Sequence, residues 1–318
     1  MRRLLRAPVR TFLRTVVSSG PGLRLVNVMH RRLSPAGRRR FFHLCCDETW
    51  RVGGRWTVDF AGRRIVLSLS RDFPDAWPAA IGFHGYDPEV HAFYESLVRG
   101  PRPPRVVFDV GASYGLHALR FLVHGARVVA FEPNPECHGR FRVWCAANGV
   151  ACELEPVAVG DRADTVELAF PEDRTYLGST LPAVRAGWRY ARVRTLTVRQ
   201  VALDDVVADR CLVPDLVKID TEGAEIAVLR GAVDLLRSMQ PTVLFEAWRA
   251  VEQRRELWQI LDKHGYRIAV VDGSVPKPLT RAGFVGAHAT NFVAEVPPGR
   301  VIQPVGTDYV WCSSLLKP

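Results

Sequence analysis

Lysine is scarce in this chain: only Lys218, Lys263, Lys277 and Lys317 stand among 43 basic residues. Acids are absent from residues 1–40, which hold eleven Arg. The remainder carries 32 basic against 33 acidic residues, so the formal net charge of +10 belongs to one terminal segment. A nucleic-acid groove spreads its basic residues through the folded domain, and no such partner is expected. The seven cysteines are odd in number and contain no C-x-x-C pair. That argues against a zinc ribbon or a disulfide framework and for reduced, cytoplasmic thiols. No apolar run approaches the ~20 residues needed to span a bilayer. Two nucleotide signatures are also missing. There is no G-x-x-x-x-G-K-[ST], and G-x-G-x-x-G fails because Ser113 and Leu116 stand where its later glycines belong.

What is present centres on residues 105–134. Val106 to Phe108 is a short apolar run, suited to a strand buried on both faces, and Asp109 follows it. Gly111 and Gly115 bracket a turn, Leu116, Leu119, Phe121, Leu122 and Val123 give a helix an apolar face, and Val128 to Phe131 is a second strand ending at Glu132. Strand, glycine turn, helix and acid-ended strand make a nucleoside-binding βαβ unit. Gly111 lets the backbone approach a ligand, the helix start offers N–H groups, and Glu132 is placed to take the two hydroxyls of a ribose. The alternative is an α/β domain whose glycines serve only a tight turn.

The second informative stretch is residues 215–231, D-L-V-K-I-D-T-E-G-A-E-I-A-V-L-R-G. Leu216, Val217 and Ile219 read as a buried strand ended by Asp220, with Glu222 and Glu225 directly after it. Open parallel sheets bind ligands at this edge of a strand. Carboxylates crowded on one turn repel unless a cation, a metal or donated hydrogen bonds offset them. A single one of them is equally explained by the dipole of a helix start. A further strand, Thr242 to Phe245, ends at Glu246.

D-V-G-A-S-Y-G, F-E-P-N-P, V-A-V-G-D and V-K-I-D-T-E-G-A-E-I-A-V-L-R-G-A, with Leu203-Asp204-Asp205 before and P-T-V-L-F-E after, occur in one order. In that order they resemble the FkbM-type methyltransferases over about residues 84–296. The resemblance implies a Rossmann-like, doubly wound, mostly parallel seven-stranded sheet with a final antiparallel strand. It implies S-adenosyl-L-methionine as cofactor and methyl transfer to a hydroxyl of a small molecule, sugar or glycolipid. By position, Asp109, Gly111, Ala112 and Gly115 would hold the methionine end, Glu132 and Asn134 the ribose, and Ala158, Val159 and Asp161 the adenine. Asp220, Glu222 and Glu246 become candidate bases, with His84 and His288 as alternatives, and no metal ligand set is read. Ser113 departs from the Asn common in the family. The D-T-E-G turn differs from the D-P-P-Y type of nucleic-acid amino-methyltransferases. The rival is a non-catalytic, cofactor-binding scaffold of the same fold.

The flanks complete the plan. Residues 1–45 are an Arg-rich extension with three readings: a ragged segment, which is preferred, a basic helix resting on an anionic membrane, or a targeting presequence. Residues 46–104 form a small α+β preface: a hairpin, a loop over Phe73 to Gly85, and a helix capped by Asp87 and opened by Pro88. Residues 105–296 are the catalytic domain and 297–318 a tail. Residues 171–190 read as an insertion near the ligand mouth or, equally, as a plain surface hairpin. The oligomeric state is not legible.

Overall fold

The computed structural model describes residues 6–73, 75–190 and 192–297. The N-terminal layer consists of α1 (Arg6–Val17), α2 (Gly20–Arg31), α3 (Pro35–Cys45), the hairpin β1 (Gly54–Phe60) and β2 (Arg63–Leu69), α4 (Ala76–Gly85) and α5 (Pro88–Arg99). The remainder runs β3 (Val106–Val110), α6 (Leu116–Leu122), β4 (Arg127–Phe131), α7 (Pro135–Ala147), β5 (Glu153–Glu155), β6 (Ala158–Val159), β7 (Asp164–Pro171), α8 (Pro182–Arg185) and β8 (Val193–Val201). It ends with α9 (Leu203–Arg210), β9 (Leu216–Ile219), α10 (Glu225–Arg230), β10 (Thr242–Glu246), α11 (Val251–Lys263), β11 (Arg267–Val270), β12 (Lys277–Pro278), α12 (Arg281–Gly286) and β13 (Asn291–Glu295).

The main sheet has the order β12-β11-β13-β10-β9-β3-β4-β5. β10, β9, β3, β4 and β5 pair in parallel, and β13 runs antiparallel to β10. This is the expected seven-stranded, doubly wound sheet, with the two-residue β12 added at one edge. Val107, Val128, Ala130, Leu216 and Leu244 face α6, α7 and the N-terminal layer, while Phe108, Val129, Val217 and Val243 face α9 to α12. Strand order reverses at β3 and β9, where open α/β sheets leave a crevice at their C-terminal edge. β6, β7 and β8 leave the main sheet and form one of their own. A single strand over 152–159 is the sequence expectation. Pro156 breaks it, because proline brings no N–H to the ladder.

Two expectations for the N-terminal region are corrected. Residues 6–45 are not ragged. Ser19 and Ser34 accept from the Gly22 and Gly37 N–H groups, each with a proline in the first turn, so both serines begin new helices. Asn27 grips both the N–H and the C=O of Thr57, Arg31 pairs with Asp59, and Val17, Leu23 and Val26 are buried. Phe73 to Gly85 is mostly helix rather than loop. α4 is buried nearly all round, so it shows no amphipathic period, and a Cβ on Gly85 would lie 2.4 Å from the Phe42 side chain. The hairpin is as expected, with Phe60 opposite Arg63 across Ala61-Gly62. Asn148 ties the two regions by holding both backbone groups of Val66. From residue 298 on, the tail lies outside the described residues.

Candidate active site

The glycine turn is shaped by the protein's own packing. Gly111 has φ 75°, and a Cβ there would stand 1.8 Å from the carbonyl oxygen of Asp220. Gly115 has φ 77°, and a Cβ there would stand 2.1 Å from the Phe141 ring. Both positions thus require glycine with no ligand present. Asp109 is buried. Its Oδ2 accepts the Ala118 N–H at 2.9 Å, fastening the start of α6 to β3. Tyr114, inside the turn, shares its hydroxyl between Asp75 and Thr175 at 2.8 Å each. The turn therefore touches both the preface and the 171–190 insertion.

Glu132 ends β4 with its carboxyl buried. Oε2 accepts the Ser113 N–H at 2.7 Å and Oε1 the Asn134 N–H at 2.8 Å. Burial pushes its pKa up to about 7, against the pull of those two bonds and of Lys218. Each oxygen keeps a second lone pair, so the group is a fixed double acceptor. The Asn134 side chain is committed elsewhere: it caps α7 through the Glu136 N–H at 3.1 Å and donates to the Thr175 carbonyl at 2.7 Å.

Lys218 joins the two halves of the crevice. It is buried within β9, with Nζ 3.2 Å from Asp109 Oδ1, 3.1 Å from the Gly111 carbonyl and 3.5 Å from Asp220 Oδ2. Burial alone would favour loss of its proton; Asp109 and Asp220 more than offset that and hold its pKa above the ordinary value. Asp220 follows it with a side chain 35% exposed. Glu222 has φ 52° and Gly223 φ 111°, a tight left-handed corner. Glu225 does not face a ligand: its Oε1 accepts from the Thr221 and Gly223 N–H groups at 3.1 Å and closes the corner.

At the next strand end, burial and the charges of Asp220 and Glu222 push Glu246 up to about 9. Burial, then Asp220 and Glu225, push Glu222 up to about 7. A fourth acid joins from the preface. Asp87 does not cap α5 with its side chain; instead it accepts from Asn291 Nδ2 at 3.1 Å. Burial pushes it up to about 6, and its neighbours include Glu89 and Asp220. Tyr86 beside it is raised by burial and by Asp87, Glu246, Asp220 and Glu222. The insertion lies over this edge, with Ser179 donating to the Glu222 carbonyl at 2.9 Å and Leu181 and Val184 close to Gly223.

With this geometry in place, the comparisons decide the family. A family model described as the methyltransferase FkbM domain matches residues 109–268. The chain belongs to the FkbM methyltransferase family. The 31-O-demethyl-FK506 methyltransferase FkbM of Streptomyces tacrolimicus is 30% identical over 195 residues, which span 52% of this chain and 74% of that protein. The hexuronic acid methyltransferase AglP of Haloferax volcanii is 27% identical over 135 residues, 42% of this chain and 52% of that one. The crystal structure of methyltransferase FkbM from Methylobacillus flagellatus KT superposes with a TM-score of 0.40 at 16% identity, covering 70% of this chain and 54% of that one. As an FkbM-family member the chain is an S-adenosylmethionine-dependent methyltransferase.

The donor set of this FkbM domain fits that cofactor. Glu132 offers paired acceptors for a diol, and the acid edge suits a sulfonium. Among the sequence-predicted residues, Lys218 joins Asp109, the Gly111 carbonyl and Asp220, Glu132 holds the Ser113 and Asn134 N–H groups, and Glu222 and Glu246 are charge neighbours of Asp220. Ala112 is buried beside them, and its N–H donates to the Phe131 carbonyl. Ala158 and Val159 pair with Gln200 and Val201 in the smaller sheet, and exposed Asp161 pairs with Arg162, so no described contact links these three to Glu132. His84 is corrected: it is buried against His91 at 4.1 Å between ring centroids, and burial drives its pKa far down. His288 is exposed and contributes only its carbonyl, to Arg249. Among the described residues no group of three or more His, Cys, Asp or Glu could hold a metal ion. Sequence reasoning missed Lys218, Asp87 and Tyr86 as site residues. Of these Lys218 left a signal, as a lysine within an apolar strand of an Arg-using chain.

Proposed function

We propose that the enzyme methylates a hydroxyl oxygen of a sugar-like or lipid-linked small molecule, with Asp220 taking the hydroxyl proton. One observation carries this: β9 and β10 pair side by side, so Asp220 and Glu246 stand together at adjacent strand ends, where burial and the charge of Asp220 raise the Glu246 pKa. The cofactor, held by Glu132, Asp109 and the 111–115 turn, supplies an electrophilic methyl group. Ser179, Leu181 and Val184 of the insertion lie over the acid edge and would limit the access of water to the acceptor. Asp220, fixed by Lys218, presents an acceptor oxygen to the substrate O–H. Glu246, protonated, donates to Asp220 or to a neighbouring substrate oxygen. As the acceptor oxygen gains the methyl, its proton passes to Asp220. Effective transfer needs the reacting atoms held ~3–3.5 Å apart, a task for the preface and the insertion on either side.

The hydroxyl acceptor is supported by this carboxylate pair and agrees with the substrates named for the FK506 and hexuronic acid relatives. A nucleic-acid acceptor is disfavoured by the charge balance outside residues 1–40. Among the described residues no helix is long and apolar enough to cross a membrane. The test is release of S-adenosylhomocysteine with a panel of uronic acids, uronosyl lipids, polyketide alcohols and amines. Turnover with hydroxylated members supports the reading; turnover with amines alone overturns it.

A further inference from the structure

α1 and α2 each bury one face and turn another apolar face to solvent. Val17, Leu23 and Val26 pack inward. On the outer side Phe12 is 67% exposed, Leu25 61% and Met29 60%, with Val9 and Val28 beside them at helical spacing. The surrounding charge has one sign. No acid precedes Asp47, which is already paired with Arg10. Arg14, Arg24, Arg32, Arg39 and Arg40 form no ion pair among the described residues. The same layer reaches the rim of the site: the Phe42 ring of α3 lies 5.9 Å from that of Tyr86, and the charge of Arg39 pulls the Asp87 pKa down against its burial.

We propose that α1, α2 and the Arg39-Arg40 end of this layer form a docking surface for an anionic lipid bilayer, holding the mouth of the active site at the membrane surface. Apolar side chains flanked by unpaired arginines match a bilayer in two respects. The arginines meet anionic headgroups, and Phe12, Leu25 and Met29 enter the acyl boundary. Phosphate backbones would use the arginines but leave the apolar stripes exposed. A second copy of this chain would bring the same positive charge against itself. Because the helices are short, the protein would lie on the membrane rather than cross it. The inference does not depend on which hydroxyl is methylated.

The test is flotation of the full chain with vesicles of phosphatidylcholine alone and of an equimolar mixture with phosphatidylglycerol, at low and high salt. Capture by the anionic vesicles at low salt, and little by the neutral ones, is expected. Two variants dissect it: Phe12→Ser/Leu25→Ser/Met29→Ser and Arg24→Gln/Arg32→Gln/Arg39→Gln/Arg40→Gln. Each should lower capture about tenfold with an unchanged thermal melt, since all the altered side chains are exposed. Absence of capture, equal capture by neutral vesicles, or full capture of the serine variant overturns the proposal. So does a dimer, seen by light scattering, that the serine variant dissolves.

Discussion

Lys218 and Asp109 form a buried ion pair, 3.2 Å from Nζ to Oδ1, that joins β9 to β3 beneath the glycine turn. Asp109 also anchors α6, and Lys218 also holds the Gly111 carbonyl and Asp220. One lysine thus sets the spacing between the cofactor turn and the acid edge. Removing one partner of a buried pair strands the other charge, which costs about 3–5 kcal/mol. Lys218→Met is expected to lose that much in urea unfolding. Adding Asp109→Asn should cost little more. Additive losses would show that the two residues are not coupled.

Asp220→Asn is expected to lower kcat about 10²–10⁴-fold, the usual range for a lost general base, while the Kd for S-adenosylmethionine stays within a few-fold. Glu246→Gln is expected to keep most of its turnover at neutral pH, because glutamine imitates the protonated carboxyl. Steady-state kinetics and calorimetry on both variants separate the roles. The reverse pattern would make Glu246 the base.

The same proton has a signature in stability. Glu246 has a folded-state pKa raised to about 9, above the unfolded value near 4.3. Its contribution is therefore complete below pH ~4 and is lost as pH rises through about 9. Glutamine does not titrate. The stability of the wild type relative to Glu246→Gln should fall by about 1.4 kcal/mol per pH unit across that window, as measured by urea unfolding at several pH values. A constant difference would place the proton elsewhere.

Much of the fold was legible because it is written locally. The apolar runs of β3, β4, β9 and β10 and the acids that end or follow them can be read along the chain, and they predicted these strands with Glu132, Asp220, Glu222 and Glu246 at their ends; the order of the main sheet was implied by the family resemblance. The hidden parts depend on long-range contacts. Asp87 sits in an Asp-Pro-Glu stretch that reads as a helix start, yet its carboxyl is held by Asn291. α4 is buried too evenly to show a period, and its glycines fit the Phe42 ring rather than a turn. Gly111 and Gly115 were read as bracketing a turn, with Gly111 open to a ligand; each position is in fact filled by a neighbouring group of the protein, the Asp220 carbonyl or the Phe141 ring.

The most direct measurement is calorimetric titration of S-adenosylmethionine into the wild type and Glu132→Ala. Glu132, directly after β4, has its buried carboxyl fixed by the Ser113 N–H of the glycine turn and the Asn134 N–H at the start of α7. Hydrogen bonds to a charged group are worth about 1.5–3 kcal/mol, so the alanine variant should bind roughly 10–100-fold more weakly. Equal affinity of the two proteins would remove Glu132 from the cofactor site, and with it the placement of the ligand at the ends of β3 and β4.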